Sequence, residues 1–176
     1  MLKNLLKNVQ RPELDFPTLK KPRKPNTYLM SPPDYCEYPP KTISPIFNIP
    51  VQDLAATFEG VALAEPRTEK LTSRELEPDL QVDYVQYSKL IGYPDTITVR
   101  FIDLGEGNST LAVFSRAHYG YRDFGVNEAR VKDWMRKLDL EIIRDRASHR
   151  AFSMLLQGFS ICPRLLQQGV ENPSAF

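Results

Sequence analysis

The sequence predicts an α+β fold, an antiparallel sheet of about four to five strands with two helices on one face, in the order β-α-β4-α. Three observations carry that expectation. Two segments hold apolar residues at helical spacing, Val51–Ala62 and Val131–Leu138. Between them, alternating segments are separated by turn signals such as Gly105-Glu106-Gly107-Asn108. Proline is confined largely to the first fifty residues, where ten of the fifteen fall.

That proline density sets the first boundary. Each proline fixes φ at about −65° and removes a backbone donor, so residues 1–44 read as an extended, partly polyproline-like arm. Phe16, Tyr28, Tyr35 and Tyr38 interrupt it. Apolar groups of that size favour an arm lying in a groove, on its own domain or on a partner. A folded domain over residues 45–139 follows. Ile46, Phe47 and Ile49 suggest a first strand. Pro50 then suits a helix start, and Val51, Leu54, Ala55, Phe58, Val61 and Ala62 form one apolar stripe that stops before Pro66. Residues 67–72 read as a strand and residues 75–79 as a polar loop. Val82, Tyr84 and Gln86 alternate with Asp83, Val85 and Tyr87, and Gly92-Tyr93-Pro94-Asp95 turns the chain. Ile97, Val99 and Phe101 give the next strand an apolar face, and residues 111–116 return from the hairpin. A second helix is expected over residues 126–138, with Val131, Trp134, Met135 and Leu138 buried and Asp123 or Asn127 as its cap. In element order this resembles TBP-like and helix-grip folds. Residues 140–176 form an extension, partly helical, in which Phe152, Leu155, Leu156 and Phe159 stand at helical spacing.

Composition narrows the function classes. A net charge of +1 argues against a dedicated nucleic-acid binder. No run approaches the roughly 18 apolar residues of a transmembrane helix, and no secretory h-region follows the first residues. A cytoplasmic or mitochondrial-matrix side is therefore expected, with peripheral membrane contact left open. The opening MLKNLLKNVQ suits an amphipathic turn, part of an organellar targeting segment or a frayed terminus. Cys36 and Cys162 stand apart, neither in a CxxC, so free thiols are expected, with a long-range disulfide as the alternative. No metal-ligand spacing, Walker loop or dinucleotide fingerprint occurs, and neither a cofactor nor a metal is expected.

The residues with chemistry gather in Ser115–Arg130, SRAHYGYRDFGVNEAR. A strand ends in Ser115-Arg116 and runs into Gly120, Asp123, Gly125, Asn127 and Arg130 before a helix. Together with the Gly92-Tyr93-Pro94-Asp95 turn, this pattern resembles the bacterial domain-of-unknown-function family numbered 1499, over roughly residues 45–138. The resemblance brings no established activity. Two departures stand out: His118 occupies a position where the family often has Arg, and Tyr87 another. If the family's arginines hold an anion, part of that charge is missing here.

Two readings of the segment compete. In one, Arg116 and Arg130 flank one end of the sheet and clamp an anion or carboxylate with helix N–H groups. In the other, Asp123 caps the helix or pairs with an Arg, Gly120 and Gly125 supply unusual backbone angles, and Asn127 satisfies the turn. The second needs no ligand. His118 lies near Ser115 and Asp123 in sequence, but a catalytic triad lacks its nucleophile elbow.

Three functions follow. The first is a non-catalytic accessory or assembly subunit, docking through arm and tail to a larger assembly, membrane-bound and of an energy-transducing kind. The second is a binding module for a lipid-like or anionic small molecule. The third is an enzyme using Arg116, His118, Asp123 and Arg130 on an anionic substrate.

Overall fold

A computed structural model describes residue 9, residue 11 and residues 13–158. Its order is β1 (Thr27–Ser31), β2 (Thr42–Ile43), α1 (Val51–Ala64), β3 (Thr68–Leu76), β4 (Asp79–Tyr87), β5 (Pro94–Gly105), β6 (Asn108–Ala117) and α2 (Val126–Gly158). The six strands make one sheet in the order β2-β1-β6-β5-β4-β3. Neighbours from β1 through to β3 are antiparallel, whereas β1 and β2 run parallel. The sheet is therefore mixed, and it has six strands instead of the expected four to five.

The difference comes from residues 1–44. Asn26–Ser31 is a proline-free window between Pro25 and Pro32, and Tyr28, Leu29, Met30 and Ser31 in it are buried. It pairs with β6 from Thr27↔Arg116 to Met30↔Val113. Conversely, the strand expected at residues 46–49 shrinks to a single bridge, Phe47 with Ser109. Pro45 and Pro50 flank it closely and limit the ladder.

One face of the sheet carries the helices. Val51, Leu54, Ala55, Phe58, Val61 and Ala62 of α1 are buried, as are Val131, Trp134, Met135 and Leu138 of α2. These are the two stripes that the 3.6-residue spacing marks. Phe58 meets Phe101 at 5.5 Å and Trp134 at 5.9 Å between centroids, and Trp134 meets Tyr84 edge-on at 6.3 Å. These rings fill the space between helices and sheet.

The other face is covered by the N-terminal segment. Leu29, Ile102, Ala112 and Phe114 form an apolar cluster with Phe16, against which Leu14, Leu19, Tyr35, Cys36 and Tyr38 pack. Gln81 Nε2 donates to the Leu14 carbonyl at 2.9 Å, holding the segment across the strands. Burial on both faces explains why β6 lacks a clean polar alternation over Leu111–Phe114. The chain divides into two compact units, Met1–Asp139 and Leu140–Phe176. The helix expected to end at Leu138 continues without a break to Gly158, so α2 enters the second unit.

Candidate functional site

The Ser115–Arg130 segment divides between the two faces of the sheet. Adjacent strand residues point to opposite sides. Ser115 turns to the helices, where its Oγ donates to Asn127 Oδ1 at 2.6 Å. Arg130, one turn into α2, fills the space beside them. Its Nη1 donates to Ser115 Oγ at 2.9 Å and Asn127 Oδ1 at 2.7 Å, its Nε to Gln86 Oε1 at 2.6 Å, and its Nη2 to Asp95 Oδ2 at 2.6 Å. The side chain is 7% exposed, and Ser115 and Asn127 are fully buried. Burial pushes the Asp95 carboxyl up, a rise that the Arg130 guanidinium opposes.

Asn127 extends this network into the loop. Its Nδ2 donates to the Asn26 carbonyl at 3.0 Å and to Asp123 Oδ2 at 2.7 Å, while Asp123 Oδ2 also accepts from the Asn127 backbone N–H at 2.9 Å. Asp123 thus closes the start of α2. Burial alone would raise its carboxyl, but the N–H groups of Asn127 and Gly125 together hold it below the usual range. Gly120 and Gly125 adopt φ of +82° and +81°, backbone that side chains disfavour. Each of the three guanidinium nitrogens of Arg130 is engaged by protein, so this network is a staple between sheet, loop and helix.

Arg116 and His118 lie on the other face. Arg116 pairs in register with Thr96, whose Oγ1 meets His118 Nε2 at 2.6 Å and accepts from Arg11 Nε at 3.3 Å. Arg116 thus lies on the face of the sheet opposite Arg130, because it is one residue along β6 from Ser115, which meets Arg130; the two arginines do not share the one site that the clamp reading places them in. The same step parts Ser115 from His118. Burial, then the charges of Arg116 and Arg11, lowers the His118 pKa to about 4.

The expected turn is present. Gly92 has φ +80°, Tyr93 N–H bonds Ser88 Oγ at 2.9 Å, Pro94 opens β5 and Asp95 pairs with Ala117. Tyr93 stacks on Tyr119 at 5.0 Å and so joins the β4–β5 loop to the β6–α2 loop. Leu90 is 93% exposed, Phe124 94% and Tyr121 63%, with Ile91 and Val126 also exposed. A pocket of about 250 Å³ opens beside Leu90, lined in part by Arg67, Tyr87 and Lys89.

A family model described as "Protein of unknown function (DUF1499)" matches residues 19–138, about two thirds of the chain. The chain belongs to this family. No curated protein and no solved structure matches it. The match to DUF1499 begins at residue 19, well before the residues 45–138 that carry the resemblance in sequence, and so takes in β1 and β2. In this DUF1499 domain, the residues expected to dock outward from the arm lie against their own fold. Phe16 and Tyr28 are buried, and Tyr35 and Tyr38 pack around the Phe16 cluster. Phe152 is exposed on α2, Leu155 and Leu156 continue that helix, and Phe159 lies outside the described residues, as does Cys162. Among the described residues no group of His, Cys, Asp and Glu could hold a metal ion, and no helix is long and apolar enough to cross a membrane.

Several partners escape sequence reasoning. Gln86, Asp95 and Asn26 complete the Arg130 network, but only strand register brings them there. Thr96, Thr98 and Asp83 lie beneath Arg116. The alternation Thr96-Ile97-Thr98-Val99-Arg100 is the signal that marks a polar stripe on that face.

Proposed function

We propose that this DUF1499 protein is a non-catalytic accessory subunit, attached at the periphery of a larger, membrane-bound assembly. The observation that carries the reading is the apolar end of the sheet, where Leu90, Tyr121 and Phe124 project into solvent from two loops tied by the Tyr93–Tyr119 stack. Large exposed apolar groups gathered on a fixed support mark interaction surfaces. Lys24, Lys89 and Arg122 are exposed around them, which suits an acidic partner surface near a membrane. This end takes over the docking role that sequence assigned to the arm, whose aromatic residues are spent on the domain's own second face.

The polar groups favour the same reading over catalysis. Ser115 and Asp123 are committed to Asn127, and His118 is tied to Thr96 on the far side of the sheet. A lipid-like ligand has no room where Phe58, Tyr84, Phe101 and Trp134 meet. The test is blue-native electrophoresis of the tagged protein from its own cell, with mass spectrometry of the band. The wild type is expected in a large band with defined companions, and Leu90→Ser/Phe124→Ser at the monomer's mass. Migration of the wild type alone overturns the proposal, as does an unchanged large band for the double variant.

A further inference from the structure

The geometry points to a second site on this protein: Arg116, His118 and Arg11, grouped around Thr96 on the face opposite the helices, bind a small oxyanion of the carboxylate or phosphate type. Arg116 is the decisive residue. Its Nε is buried and has no hydrogen-bond partner among the described residues. No described carboxylate comes within ion-pair distance of it, whereas Arg130, on the opposite face, is fully engaged. A guanidinium N–H removed from water without a partner is costly, and proteins retain such groups where something else meets the donor.

The neighbours reinforce that demand. Arg11 reaches the same place from the N-terminal segment, its Nε on Thr96 and an Nη on the Val9 carbonyl at 3.3 Å. Each guanidinium raises the positive potential at the other and at His118. Asp83 is the acidic group that acts on Arg116, but its oxygens accept from Thr98 at 2.6 Å and Thr72 at 2.8 Å. Two cations against one occupied carboxylate leave one positive charge over. His118 meets Thr96 through Nε2, so a neutral ring with its proton on Nδ1 offers a further donor. Planar forks and an N–H donor suit an oxyanion's arrangement of acceptors. The site is separate from the apolar loop end and does not depend on the docking role.

The test is a titration of the full chain with sodium phosphate and, separately, sodium acetate at constant ionic strength, followed by NMR of the His118 ring. A saturable shift is expected below roughly 10 mM, the range of a few charge-assisted contacts, together with a rise in the His118 pKa as the anion offsets the two arginines. Arg116→Gln should weaken binding at least about tenfold, the loss of one such contact. The tighter of the two anions identifies the phosphate or carboxylate class. Should Arg116→Gln not fold, Arg116→Lys keeps the charge without the fork, and binding should still weaken several-fold. No saturation with either anion overturns the inference, and so does binding that is unchanged in the Arg116 variant.

Discussion

At the scale of the residue, Arg130 and Arg116 carry the same charge in opposite circumstances. Arg130→Met would strand the Asp95 carboxylate and take the donor from the Gln86 amide oxygen, and a cost of about 3–5 kcal/mol is expected in urea unfolding. Adding Asp95→Asn should recover part of that loss, since the uncompensated charge goes with it. Arg116→Met, by contrast, should leave stability unchanged or raise it, because it removes a buried Nε that has no hydrogen-bond partner among the described residues. His118 gives a pH signature. Its folded pKa of about 4 lies below the value near 6.5 of an unfolded chain. The neutral ring is favoured by folding, so its contribution is complete above about pH 6.5 and fades as pH falls toward 4. With the ring half-exposed, about 1–2 kcal/mol is at stake. His118→Gln should flatten that part of the stability–pH curve, measured by thermal melts from pH 4 to 7. Phe124, nearly fully exposed at φ +52°, holds a backbone conformation that favours Asn or Gly. Phe124→Asn should stabilise the fold by about 1 kcal/mol.

At the scale of the element, the segment before Val51 is part of the sheet. A chain beginning at residue 44 would leave β6 without its outer neighbour and expose Leu29's partners Ile102, Ala112 and Phe114. Such a truncation is expected to aggregate, read by size-exclusion chromatography, because β6 becomes a long unpaired edge over an open apolar face. The two helices were legible in sequence down to individual buried residues, since a 3.6-residue stripe records one face directly. The β3–β6 meander was legible from alternation and from the Gly105–Asn108 hairpin. β1 was hidden by its surroundings, for prolines on either side mask a window of six residues that contains none. The candidate site was legible in residue type and only partly in arrangement. Asp123 acts locally on Asn127, within one helix turn, and that role follows from spacing, whereas Asn127 also meets Ser115 and Asn26 far away in sequence. Gln86 and Asp95 reach Arg130 through strand register, which no local spacing encodes. Ser115 and Arg116 read as a unit in sequence, yet the pleat sends them to opposite faces.

At the scale of the whole molecule, the two faces of the sheet have different duties. Helices close one with aromatic packing and a satisfied polar staple, and the N-terminal segment closes the other over an apolar cluster and a charged corner. The loop end joins neither, and substitutions there should separate stability from attachment. Leu90→Ser with Phe124→Ser is expected to change unfolding free energy by no more than about 0.5 kcal/mol, while abolishing recovery in a large assembly. The pairing of β1 with β6 also has a meaning in time. Thr27 meets Arg116 across most of the domain's length, so during synthesis β1 emerges long before its partner exists. At about 5–20 residues per second, the roughly 85 residues between them take on the order of 4–17 s. Throughout that wait an apolar strand is available to any nascent or neighbouring chain. The prolines on both sides of it, at Pro25, Pro32 and Pro33, deny such a chain a longer ladder, so the same residues that obscure β1 in the sequence guard it until β6 arrives.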